Sequence, residues 1–205
     1  MAQAKTLTQN EIDQVLRFIA TKNRYSTRNR TMVLMSFYSG MRVGEIASLR
    51  LGDVQNEDGT IKSEIRLSAE QTKGDKGRVV FVNEKLRTEL AIYLKSYKPK
   101  SITQPLFYTE KSVGFSANTL TQWFFWLYRK AGISSASSHS GRRTFITNLA
   151  NKGISVRVLA SLAGHKSINT TMVYIDTNDN IKRQAVERSE EHTSELQSRF
   201  GISYA

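Results

Sequence analysis

The sequence predicts a mainly helical α+β domain carrying one small antiparallel β-sheet, and three observations lead there. Apolar residues recur at helical spacing through most of the chain, often behind a capping side chain. Between Thr60 and Val82 that spacing gives way to alternation and β-branched runs around a glycine-rich turn. The 205 residues are 39% hydrophobic, enough to bury one core, with no repeat, linker or low-complexity run before residue 188.

Taken in order, Thr8 and Glu11 have capping-box spacing, and Ile12, Val15, Leu16 and Ile19 follow on one helical face. "RNRTMVLMSFYSG" predicts a second helix stopped by Gly40, and "VGEIASLRL" a short helix straight after it, which puts Arg42 at the junction. "TIKSEIRL" and "RVVFV" predict the strands of a hairpin with "KGDKG" as the turn. Asn83 caps "EKLRTELAIYLKSY", whose apolar stripe is Leu86, Leu90, Tyr93, Leu94 and Tyr97, ahead of Pro99. "ANTLTQWFFWLYRKAG", "HSGRRTFITNLANKG", "SVRVLASLAG" and "TTMVYI" predict further helices separated by glycine or serine.

Lys and Arg number 30 against 18 Asp and Glu, a formal +12 with a pI near 10.0. Such a balance favours association with a polyanion, most often nucleic acid, and says little about fold. With no cysteine, disulfides and thiolate metal sites are excluded and a reducing compartment is compatible. The N-terminus lacks an apolar signal core and no window approaches about eighteen consecutive apolar residues, so the expectation is a cytoplasmic protein without a membrane partner. "RSEEHTSELQS", residues 188–198, and "ISYA", residues 202–205, resemble the in-frame translation of a short-read sequencing adapter. The expected domain is therefore 1–187, with 188–205 a non-native tail. Setting the tail aside leaves the charge strongly positive and the histidines His139 and His165.

Five segments hold residues that could carry chemistry. In "SGMRVGE", Arg42 and Glu45 are three apart and share a helix face, which taken alone fits a structural ion pair as well as a site. In "TKGDKGR", the glycines permit a sharp turn with Lys73 and Lys76 at its tip, a solvated turn if read alone. At the head of "HSGRRTF", His139 and Arg142 share a face while Arg143 is rotated away by about 100°, so both arginines cannot easily serve one ligand. Cations at a helix N-terminus are unfavourable unless an anion joins them, a first hint of a phosphate. His165 in "LAGHKS" follows the helix-ending Gly164, and Tyr174 lies in "TTMVYIDT". Each has an ordinary alternative, a cap for the histidine and a core position for the tyrosine.

Together, Arg42, Lys73, His139, Arg142, His165 and Tyr174 occur in the order and spacing of the tyrosine recombinase family of phage integrases, Xer proteins and Cre. "SGMRVGEIASL" resembles its first box, and "HSGRRTFITNLANKGISVRVLASLAGHKSINTTMVYI" its second box through to the nucleophile. The resemblance implies that fold, double-stranded DNA as partner, and a tetramer formed on two DNA sites. It implies that Tyr174 attacks the scissile phosphate to give a 3′-phosphotyrosyl link without metal, ATP or other cofactor. In that scheme Arg42 and Arg142 stabilise the charge, Lys73 protonates the departing 5′-oxygen, His139 assists proton transfer and His165 binds a non-bridging oxygen. The residue types suit that chemistry: guanidiniums stay charged and bind bidentately, and a phenol is easier to deprotonate than an alcohol.

Two departures stand out. Where relatives often have Leu-Arg-His after the first histidine position, this chain has Gly141, Arg142 and Arg143. Most relatives also carry a separate helical domain before the catalytic one, whereas here the second expected helix already starts at Arg28. The expectation is a catalytic domain without that N-terminal module, from the compact branch of the family or a truncated integrase. A catalytically silent DNA-binding regulator and a type IB topoisomerase-like enzyme are the alternatives that share the charge or the chemistry.

Overall fold

A computed structural model of the chain describes residues 4–21, 24–72, 76–111 and 114–174, together with 183, 186 and 187. The sequence-expected turn residue Lys73 and the tail 188–205 lie outside the described residues.

The first helix, α1 (Gln9–Ala20), starts at the expected capping box: the Glu11 N–H donates to Thr8 Oγ1, and the Thr8 N–H to Glu11 Oε2. The second, α2 (Ser26–Ser39), buries Met32, Val33, Leu34, Met35 and Phe37, apolar on so many sides that it can only be a central helix. Gly40 ends it in the left-handed conformation, φ 61°, against the ring of Phe145, where a Cβ would collide.

The single helix expected over residues 43–51 is instead two, α3 (Val43–Ser48) and α4 (Leu51–Val54). The break follows from long-range pairing: Leu106 N–H donates to Leu49 O at 2.8 Å and Leu51 N–H to Gln104 O at 2.9 Å, drawing Leu49 and Arg50 into extended backbone. Tertiary hydrogen bonds here outweigh helix propensity.

The hairpin pairs β1 (Glu64–Leu67) with β2 (Arg78–Phe81), Ile65 opposite Val80 and Leu67 opposite Arg78. Its inward face is Ile65, Leu67 and Val80, while Phe81 points out. Pairing starts later than expected because Ile61 bridges to Gln55. After the hairpin come α5 (Glu84–Tyr97), capped by Asn83, and α6 (Ala117–Lys130), capped by Ser116. Then follow α7 (Ser140–Asn151), α8 (Val156–Ala163) and α9 (Ile168–Met172). The final expected helix thus begins earlier and ends before Tyr174, which sits in the turn just beyond.

Helices α5 and α7 pack on α2, and α8 leans on α7, α9 and β2. Gly141 sets how close α7 comes to α2: a Cβ there would overlap Ser36 Oγ and stand 2.8 Å from Ser36 Cβ. The glycine in "HSGRR" is therefore a packing requirement of this chain. That close approach brings the start of α7 beside the α2–α3 junction, where Arg42 lies.

Candidate active site

The site is organised by the C-terminal end of α8. Its last carbonyls have no partner within the helix, and the helix dipole makes that end attract cations. Three consecutive carbonyls each accept from a different arginine. Leu162 O takes Arg78 Nη1 at 2.9 Å, Ala163 O takes Arg142 Nη2 at 2.6 Å, and Gly164 O takes Arg42 Nη2 at 3.0 Å. Arg142 also donates to Gly40 O at 2.7 Å, the C-terminal end of α2. Two helix C-termini thus offset what the N-terminus of α7 would otherwise cost this buried guanidinium.

Glu45 is the counter-charge. Its carboxylate, 1% exposed, accepts from Arg42 Nη1 at 3.0 Å and from Arg78 Nε and Nη2 at 3.1 and 2.7 Å. It also accepts from the Arg42 backbone N–H at 2.7 Å. Burial pushes the Glu45 carboxyl up, but the Arg78 hydrogen bonds and charge, with Arg42, outweigh it and hold the group below the usual carboxylate range. The ion pair read from the sequence is real, and it is part of the cluster rather than an alternative to it.

Among the described residues one carboxylate faces these three guanidiniums and does not balance them. Burial, and then the Arg42 charge, lower Arg142 to about 10, with Glu45 opposing. His165, just past the end of α8, is lowered to about 4 by burial and by Arg142, Arg42 and Arg78. It is therefore neutral at pH 7, its Nδ1 2.7 Å from the buried Thr171 hydroxyl. The arrangement is an excess of fixed positive charge in a partly desolvated place, which an anion would relieve.

Two clefts open on the cluster. One, about 650 Å3, is lined by His139, Arg142, Arg143, Thr170 and Tyr174 among others. The other, about 640 Å3, is lined by Arg42, Thr72, Lys76, Arg78, His165 and Lys166. The His165 ring, on the second cleft, and the Tyr174 ring, on the first, are stacked 6.0 Å apart at 17°. Of the six residues expected from the sequence, Arg42, His139, Arg142, His165 and Tyr174 border these two clefts. Lys73 is outside the described residues, between Thr72 and Lys76, which line the Arg42 side. His139 is exposed at the N-cap position of α7.

Arg142 and Arg143 both line the first cleft but have different partners, as their divergence on the helix leads one to expect: Arg142 turns inward to the carbonyls while Arg143 reaches across to Tyr174. The sequence reading passed over Arg78. Strand parity could have found it: Arg78 shares the face of the inward Val80 and Val82, a charge aimed at the core that needs a buried partner. Among the described residues no three of His, Cys, Asp and Glu gather into a metal-binding group.

Guanidiniums gathered on a helix C-terminus, with a tyrosine at the cleft wall, form a positively charged centre whose chemistry suits an anion. The chain belongs to the phage integrase family, whose family model matches residues 5–180. It is 29% identical over 189 residues to tyrosine recombinase XerA of Pyrococcus furiosus, covering 90% of this chain and 62% of that protein. Tyrosine recombinase XerC of Lactobacillus leichmannii is 27% identical over 172 residues, 81% of this chain and 56% of that one. The chain therefore spans about 56–62% of the length of these curated relatives. Among solved structures, the XerA recombinase crystal structure superposes with a TM-score of 0.72 at 26% identity, over 100% of this chain and 68% of that one. No helix among the described residues is long and apolar enough to cross a membrane.

Proposed function

We propose that this chain is the catalytic unit of a site-specific DNA recombinase that cuts and rejoins double-stranded DNA through a covalent link to Tyr174. One observation carries the reading: Arg42 and Arg142 are tied to adjacent carbonyls, and the clefts they border are lined by His165 and Tyr174, whose rings stack on one another. Family membership and the XerA fold support it.

A phosphodiester entering this centre brings the negative charge that the cluster lacks. Arg42 and Arg142, tethered on one side, keep further N–H donors for its non-bridging oxygens. His165 Nδ1 is 2.7 Å from the Thr171 hydroxyl; in this reading the hydroxyl is assigned as the donor, which leaves the ring proton on Nε2, able to donate to the same oxygens. The Tyr174 oxygen then forms a bond to phosphorus while the P–O5′ bond breaks, giving a 3′-phosphotyrosyl link and a free 5′-hydroxyl. His139 assists removal of the phenol proton, and Lys73 supplies one to the departing oxygen. Attack by a 5′-hydroxyl of a partner strand reverses the chemistry and reseals the DNA, conserving the bond energy in the phosphotyrosine. Strand exchange of this kind calls for several copies on two duplexes, a homotetramer.

The test is a library of nicked duplexes in which cleavage releases a short fragment and strands the enzyme on DNA. An adduct formed by the wild-type chain and lost in Tyr174→Phe supports the reading. Binding without an adduct on any duplex would make the protein a DNA-binding regulator, and sequence-independent plasmid relaxation would make it topoisomerase-like.

A further inference from the structure

Arg143 leaves α7 about 100° away from Arg142, yet it does not extend into solvent. Its Nε donates to the Thr6 hydroxyl at 3.1 Å, and its guanidinium carbon lies 5.2 Å from the centre of the Tyr174 ring. Thr6 is itself fixed. The next residue, Leu7, is buried, and its N–H donates to Thr144 Oγ1 at 2.9 Å; the Thr144 hydroxyl in turn donates to Ser140 O at 2.8 Å. Two successive residues of the segment ahead of α1 are thus pinned to two successive residues of α7, and Ala4 continues along the cleft wall.

Among the described residues, Tyr174 comes just after a helix of five residues, and its backbone N–H bonds within the turn, to Thr171 O at 3.0 Å. Side-chain packing must define where its ring sits. The packing shown is the stacked His165 ring and the Arg143 guanidinium, whose plane suits the face of an aromatic ring. In the proposed mechanism His165 also serves the anion, whereas Arg143 contacts Tyr174 without such a role.

We infer that Arg143 is a positioning residue for Tyr174, oriented by Thr6, so that the segment before α1 sets the placement of the nucleophile. The inference rests on the proposed role of Tyr174. A positioning role differs from a phosphate contact in what it costs. Misplacing a nucleophile slows the chemical step by roughly tenfold or more with little change in affinity. Losing a phosphate contact weakens binding and lowers the salt slope of log K by about one.

The experiment uses the full chain with Arg143→Ala, Thr6→Val and Thr6→Ser. Single-turnover adduct formation at saturating nicked duplex is measured beside DNA affinity as a function of salt. A fluorine NMR signal from 3-fluorotyrosine at position 174, assigned by its loss in Tyr174→Phe, is recorded without DNA. The expected result is a rate about tenfold lower in Arg143→Ala and a smaller fall in Thr6→Val. Thr6→Ser matches the wild type, the salt slope stays unchanged, and the fluorine resonance moves in Arg143→Ala. An unchanged fluorine resonance, or a slope lowered by about one with the rate restored at saturation, overturns the inference. Should the wild-type chain form no adduct, the nucleophile reading falls, and the fluorine signal alone still decides whether Arg143 positions the ring.

Discussion

Replacing Glu45 by glutamine keeps the shape of the side chain and removes the negative charge that pairs with Arg42 and Arg78. The carboxylate is 1% exposed, the Arg78 side chain 10% and the Arg42 side chain 26%, so water can compensate Arg42 in part and Arg78 very little. Removing one partner from a buried ion pair costs about 3–5 kcal/mol, and the partial exposure of Arg42 places Glu45→Gln near the lower end, about 3 kcal/mol. The glutamine NH2 also faces a guanidinium, donor against donor. For a chain of this size the loss corresponds to a fall in Tm of roughly 6–12 °C in low-salt buffer. Sulfate stands in for the missing charge and recovers part of the loss, more than it adds to the wild type. The pH dependence has a defined sign as well. The carboxyl is depressed in the folded state, so its contribution is present above its unfolded value near 4.5 and is lost as pH falls through the folded value. Wild type should lose stability there and Glu45→Gln should lose less. The measurement is thermal or urea unfolding with and without sulfate; a cost below about 0.5 kcal/mol would refute the cluster as the organiser of the site.

Other outcomes follow from the same geometry. Gly141→Leu drives a side chain into Ser36 and should cost about 1–3 kcal/mol or more in urea unfolding, a loss that Ser36→Ala leaves in place because Ser36 Cβ stands 2.8 Å from the site of collision. His165 is depressed to about 4 when the site is empty, and a bound anion raises it. Sulfate affinity by calorimetry should therefore rise as pH falls from about 6.5 towards 4, and His165→Phe should flatten that trend. Over the same window the anion-free protein loses stability as pH falls, since the unfolded histidine binds the proton more readily. Arg142→Lys keeps the charge but cannot span Gly40 O and Ala163 O, and should slow adduct formation at least about a hundredfold while weakening DNA binding less than about tenfold.

How much of this was legible in the sequence depended on how local the cause is. The starts of α1 and α5 are written by Thr8 and Asn83, each within three residues of the N–H it satisfies, and both were readable. The break between α3 and α4 was not, because it is made by residues 104–106, which no local pattern connects to Leu49. The family motif gave the identity and order of the polar residues that border the clefts. What holds them, three successive carbonyls at the end of α8, was hidden because backbone acceptors look the same under any side chain. Arg78 lay within reach of strand parity. The bridging of Arg143 to Tyr174 was beyond it, since it depends on Thr6, a residue 137 positions away.

In the proposed reaction Arg42, Arg142, His165 and Tyr174 close on one phosphorus atom. A crystal structure of the chain with the two halves of a cleaved DNA site and orthovanadate tests it directly. The predicted result is vanadium bonded to the Tyr174 oxygen, with donors from both guanidiniums and the His165 ring within hydrogen-bond distance of its equatorial oxygens. Vanadate seated away from the α8 carbonyl end, or a Tyr174 oxygen turned away from the metal-oxygen group while DNA is bound, would contradict it.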